Sequence, residues 1–248
     1  MLASIAHPST NGAPRVQAEL TRVGRQGLGG GWAGAPNKAR KLACLLVEYF
    51  FYCRGRPGTE ALLDEWAEAH WSFMDGYAEA MIARGPTLTP DRTTWTGSMH
   101  MVDLPDAQAA RVFAFQEPFC RAGVYDEVLV RRWRNTLGRT MWDYPAELGD
   151  DRRFLVVGHG KPGVEAARQA LEAAQRRWFD EPGHHDGFIL RGPLLADDGA
   201  GWVGSALLVQ LRDRAAVEAM WAGAPYVQAG LYASAEVHDW QFGGRHQA

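Results

Sequence analysis

Two residues of this sequence, His70 and Glu117, are of types that together could move protons if the fold brings them into contact. A carboxylate bonded to one imidazole nitrogen fixes the tautomer and leaves the other nitrogen to take a proton from a carbon beside a carbonyl, or from a phenol. His70 lies within an apolar stripe formed by Leu62, Leu63, Trp66, Phe73, Met74, Tyr77 and Met81. Steps of three and four make that stripe one face of a helix, so the ring sits on the face that packs against a sheet. The same spacing also fits a core histidine bonded to a backbone carbonyl, with Glu117 on the surface. Tyr49 and Tyr52 either offer a hydroxyl to the same place or simply pack.

Other polar clusters carry less. His184, His185 and Asp186, with His159 upstream, follow a Pro-Gly break and lack the helical spacing of metal ligands, so no metal is expected. The glycines at Gly27 and Gly29–Gly31 precede no Lys-Ser or Lys-Thr, and Gly158-His159-Gly160 runs into Pro162; neither is a phosphate or dinucleotide loop. Cys44, Cys53 and Cys120 show no metal spacing and fit reduced thiols in a cytoplasmic protein.

The elements that must position the pair are written twice. Sliding the chain until Trp71 falls on Trp178 brings Arg84-Gly85-Pro86 onto Arg191-Gly192-Pro193 and Trp95 onto Trp202. Without a gap, Gly97-Ser98 then meets Gly204-Ser205, Pro118 meets Pro225, Tyr125 meets Tyr232 and Trp133 meets Trp240. Gly, Pro and Trp have narrow structural uses, so such agreement indicates two copies of one fold. In this register His70 faces Arg177 and Glu117 faces Ala224, so copy two loses the pair. Arg84 keeps its twin Arg191, which suits a structural ion pair as well as it suits a grip on an anionic substrate group. His100, between Met99 and Met101, has Leu207 as its twin and faces either the cleft or solvent.

In chain order, residues 1–41 read as a flexible basic arm, with Arg15, Arg22, Arg25, Lys38, Arg40 and Lys41 against Glu19 and a short helix near Val16–Val23. A strand follows over Lys41–Cys53, then a helix from the cap at Thr59 to about Ala83, ended by Arg84-Gly85-Pro86. Next come strands at Thr87–Thr89 and Thr96–Leu104, a helix over Ala107–Phe115 and a strand over Tyr125–Trp133. Residues 42–134 thus form one βαββαβ domain, 135–151 a linker, 152–242 a second such domain and 243–248 a tail. Trp66, Trp71 and Trp133 read as core. No apolar run approaches the roughly 20 residues of a membrane span, and a net charge of −3 gives no pull toward nucleic acid.

Ala69-His70, Arg84-Gly85-Pro86, Gly97-Ser98, Glu117-Pro118-Phe119 and Ala122-Gly123 together resemble the YCII-related family. That resemblance implies an α+β fold in which two ferredoxin-like units pair their sheets as a dimeric α+β barrel, with a His–carboxylate pair in the cleft beneath. Here the pairing becomes an intrachain pseudo-dimer, and Glu117 replaces the family's Asp. The family includes a dehydrochlorinase of a chlorinated hydroxyquinol. The resemblance thus implies a small-molecule lyase or isomerase without a cofactor, and assigns the pair to His70 and Glu117. A non-catalytic binding or accessory protein with the same cleft is the alternative, and a homodimer of the fused pair is compatible with either.

Overall fold

The computed structural model describes residues 46–144, 147, 149–181 and 185–244, so the basic arm, the helix expected near Val16–Val23, the start of the first strand and the imidazoles of His184 and His185 lie outside what is described. Copy one runs β1 (Val47–Gly55), α1 (Glu60–Asp75), β2 (Met81–Leu88), β3 (Trp95–Leu104), α2 (Ala107–Gln116), α3 (Pro118–Arg121) and β4 (Tyr125–Trp133). Copy two runs β5 (Arg152–Gly160), α4 (Glu165–Phe179), β6 (Phe188–Leu195), β7 (Trp202–Leu211), α5 (Arg214–Gly223), α6 (Pro225–Gln228) and β8 (Tyr232–Trp240). All pairings are antiparallel, and the strands close into one barrel in the order β1-β3-β2-β8-β5-β7-β6-β4. Closure is made by Thr87 and Leu88 against Trp240 and Asp239, and by Arg132 and Trp133 against Leu195 and Leu194. The molecule is an intrachain pseudo-dimeric α+β barrel of two ferredoxin-like repeats.

The period-two alternation of a strand sorts its side chains to opposite faces. In β1, Phe50 and Tyr52 enter the barrel interior with Met99, Met101, Leu155, Val157, Trp133 and Trp240. Tyr49 and Phe51 face outward, under α1 and α2, among Met74, Tyr77 and Phe113. Copy two repeats this outer layer with Phe154, Val156, Trp178, Phe188 and Val217. Asp106 and Asp213 cap α2 and α5 in the same way, each accepting from the backbone N–H three residues on at 2.8 Å.

Three sequence expectations change. The first helix ends at Asp75 instead of near Ala83, and Arg84-Gly85-Pro86 lies inside β2. The triplet reads locally as a helix stop, but its glycine serves a tertiary contact: a Cβ at Gly85 would sit 2.0 Å from the carbonyl oxygen of Gln241, and one at Gly192 would sit 1.8 Å from that of Arg134. Each copy's chain leaves its last strand across the other copy's Arg-Gly-Pro; Gly243 N–H donates to Arg84 O at 2.9 Å and Thr136 N–H to Arg191 O at 3.1 Å.

The second change is the register. The strands place Gly55 with Gly160 and Thr59 with Val164, whereas Leu88 matches Leu195. Copy two therefore carries two extra residues between its first helix and second strand, and the ungapped alignment fails through β1 and α1. The counterpart of His70 is Gln175, not Arg177, and both are the buried polar residues of their helices. The match of Trp71 with Trp178 was a coincidence of type. Third, Trp66 and Trp71 are exposed while Trp133 and Trp178 are buried.

Candidate active site

The site lies between α1 and the outer face of the copy-one sheet. Glu117 is the N-cap of α3, with Pro118 at the first helical position. Its carboxylate, 3 % exposed, accepts from Phe119 N–H at 3.0 Å and Cys120 N–H at 2.9 Å. A third donor completes the set: Nδ1 of His70 lies 2.5 Å from Glu117 Oε1. Because the carboxylate only accepts, Nδ1 carries the proton of that bond and Nε2 is the nitrogen left for other chemistry. The imidazole stacks on Phe119, with centroids 4.2 Å apart and planes within 9°. One short element, α3, therefore supplies both the acceptor and the flat surface that fix the ring.

His70 lines a cavity of about 590 Å³ together with Trp71 and Met74 from α1, Arg84 from β2 and His100 from β3. A bulge explains Arg84. The pairing of β2 with β3 slips between Met81 and Ala83, so Ile82 and Ala83 both face the barrel interior and Arg84 turns outward. The same slip between Phe188 and Leu190 turns Arg191 outward in copy two. Arg84 Nη1 reaches Asp75 at 3.4 Å, and its Nε has no hydrogen-bond partner among the described residues. His100 is buried rather than solvent-facing, with its ring 6.0 Å from that of His70. Burial, reinforced by the neighbouring His70 and Arg84, drives His100 well below the usual histidine range, so it is neutral at pH 7.

Three of the six expected site residues line one cavity, His70, Arg84 and His100, and Glu117 stands behind His70, bonded to its ring. Tyr52 and Tyr49 do not line the cavity. Tyr52 points into the barrel, with its hydroxyl 3.3 Å from His238 Nδ1, and the Tyr49 hydroxyl is buried under the helices with no partner among the described residues. Sequence reasoning missed Arg92 and Arg153, which also line the cavity, and the wall made by Gln241–Gly244. Arg153 belongs to β5 of copy two; it donates to Gln210 at 3.1 Å and lies over Phe242 at 3.8 Å. No local pattern marks either arginine, because Arg92 lies in the turn between β2 and β3 and Arg153 comes from the other copy. Burial, with some help from Arg92, pulls the Arg153 guanidinium below its ordinary value.

The described thiols are poor nucleophiles. Burial first, then the Glu117 carboxylate, pushes Cys53 and Cys120 up. His159 bonds to Glu236 at 2.8 Å, and among the described residues no group of His, Cys, Asp or Glu is arranged to hold a metal ion.

Comparisons with known proteins agree with this architecture. No curated protein matches the sequence. A chlorite dismutase from Candidatus Nitrospira defluvii, solved with imidazole, is 10% identical over 82% of this chain and 95% of its own, with a TM-score of 0.51, a likeness of fold. A 5-chloro-2-hydroxyhydroquinone dehydrochlorinase from Burkholderia phenoliruptrix, solved with 2,5-dihydroxybenzoquinone, is 23% identical over 37% of this chain and 98% of its own, with a TM-score of 0.34. The model of the YCII-related domain matches residues 47–134 and again residues 152–241. With the repeated fold and both matches in view, the chain belongs to the YCII-related family, carrying two of its domains in one polypeptide.

Proposed function

We propose that the protein is a small-molecule enzyme in which His70, oriented by Glu117, moves a proton during elimination, dehydration or isomerisation of an oxygenated ring or enone. The observation that carries this reading is the 2.5 Å bond from Glu117 to His70, whose ring lines the cavity of about 590 Å³. In an elimination, Nε2 of His70 takes the proton from a hydroxyl or from a carbon beside a carbonyl. The electron pair freed by that bond forms a new C=O or C=C, and the leaving group departs with its own bonding pair. The imidazolium, held by the buried carboxylate, then returns its proton to solvent or to the leaving group. Proton transfer of this kind needs no redox cofactor, and a well-placed base accelerates it by about 10²–10⁴.

The guanidinium groups of Arg84, Arg92 and Arg153 favour a substrate that carries or develops negative charge, such as a phenolate or enolate. Trp71 and Met74 supply an apolar wall for a flat ring.

The test is a panel of chlorinated and hydroxylated benzenetriols and cyclic hydroxy-enones, followed by ultraviolet absorbance and by chloride release. At least one compound is expected to lose HCl or water, or to shift a double bond, at a rate proportional to protein. Recovery of every compound unchanged would overturn the proposal.

A further inference from the structure

Copy two has lost the proton-moving pair but has kept its cleft. Gln175 stands for His70 and Ala224 for Glu117, yet a cavity of about 530 Å³ remains under α4, close to the volume of its twin. Its chemistry has changed in one direction. Where α1 presents Leu63, Ala67 and Trp71, α4 presents Arg168, Glu172 and Arg176 at the matching places. Arg134 and Arg191 bring the guanidinium groups in the lining to four, against the two carboxylates of Glu172 and Asp180. Arg176 pairs with Glu172 at 3.2 Å and Arg191 with Asp180 at 2.7 Å.

Two of these guanidinium groups keep unused donors. Arg191 is 7% exposed, yet among the described residues its Nε and Nη1 have no hydrogen-bond partner, and neither does Nε of Arg168. A buried donor left unmatched costs free energy, so such donors mark where an acceptor belongs. Arg191 is also held in place, lying over the Phe179 ring at 4.5 Å. Trp202 and Tyr226, edge to face at 5.9 Å, form an apolar part of the wall.

We propose that this second cleft is a non-catalytic binding site for a small carboxylate on a flat apolar body. The carboxylate takes the free donors of Arg191 and Arg168, and the ring rests on Trp202 and Tyr226. Gln175 is spent on the wall itself, accepting from Tyr226 N–H at 3.1 Å, so the place of His70 holds no base. The proposal is independent of catalysis in copy one, since none of its residues lies in that cleft.

Calorimetric titration of the full chain with benzoate tests it, with benzamide as the uncharged probe of the same shape. Ala67→Trp fills cleft one, and Glu172→Trp fills cleft two from an exposed position. The A67W protein is expected to bind benzoate as tightly as the parent does, and benzamide at least tenfold more weakly. Adding Arg168→Gln, which removes the unmatched Nε donor together with the side chain's hydrogen bond to Tyr226, is expected to weaken benzoate at least fivefold while the protein keeps a single melting transition. E172W is expected to abolish the isotherm that R168Q weakens. Loss of benzoate binding in A67W, equal affinity for benzamide, or indifference to both R168Q and E172W would overturn the proposal.

Discussion

Gln175 occupies in copy two the place that His70 occupies in copy one, and the backbone around it shows what the exchange means. In copy one, Phe119 N–H donates to Glu117 Oε1 at 3.0 Å; in copy two, the matching Tyr226 N–H donates to Gln175 Oε1 at 3.1 Å. The buried amide is satisfied in both, so the fold needs an acceptor there but does not need an imidazole. His100 obeys a related logic. It is neutral because burial lowers its proton affinity, whereas in the unfolded chain the ring titrates near its ordinary value of about 6.5. Below that pH the unfolded state binds a proton that the folded state refuses, so stability falls as pH drops. Replacing it with the residue of copy two, His100→Leu, is expected to make thermal stability less sensitive to pH between about 6.5 and 5. Melting curves across that range check it; an unchanged pH slope would count against a buried neutral imidazole.

At the scale of elements, the Arg-Gly-Pro segment carries the most information. Its arginine faces the cleft because of a bulge, its glycine admits the partner copy's departing chain, and the oxygen of Pro86 accepts from Gln241 N–H at 3.3 Å. A methyl group at Gly85 has no room beside Gln241 O and the Trp240 indole. Gly85→Ala is therefore expected to destabilise the protein by about 1–3 kcal/mol, as overpacking does. It should also raise KM, because residues 241–244 form part of the cleft wall. Urea unfolding and steady-state kinetics read the two effects; a neutral substitution would contradict the close approach.

These elements also show how far the sequence could be read. Repeated Gly, Pro and Trp residues revealed two βαββαβ units, and the periodicity of α1 placed His70 on its packed face. The end of α1 was misjudged because glycine and proline stop helices locally, while here a distant chain segment requires the glycine. The counterpart of His70 was misplaced because Trp71 and Trp178 share a type while occupying different positions, one exposed and one buried. Arg92 and Arg153 stayed invisible, since a wall built from a turn and from the other copy leaves no periodic trace.

On the scale of the whole molecule, the barrel is one body with a shared interior, and polar groups tie its mouth across the lumen. Glu236 on β8 accepts from Arg54 of β1 and from His159 of β5, the latter at 2.8 Å, and from His238 at 3.1 Å. The hydrogen bond from His238, with those from Arg54 and His159, holds the Glu236 carboxyl well below the usual carboxylate range despite partial burial. In the unfolded chain that carboxyl titrates near its ordinary value of about 4.3. The stabilisation is therefore fully present above that pH and fades as the pH falls from there toward the lower folded value. Glu236→Gln is expected to lower the melting temperature at pH 7, with a gap from the parent that narrows below about pH 4.3. A gap independent of pH would contradict the clamp. Because both copies contribute to one interior, a single cooperative unfolding transition is expected alongside it.

The central claim, that proton transfer belongs to copy one through His70, is tested most directly by turning that residue into its own counterpart. His70→Gln keeps a hydrogen-bonding group where copy two already tolerates glutamine. With the compound turned over fastest in the panel, the kcat of this variant is expected to fall by about 10²–10⁴, with the melting temperature and KM close to the parent. A kcat within a factor of about two of the parent would contradict the claim.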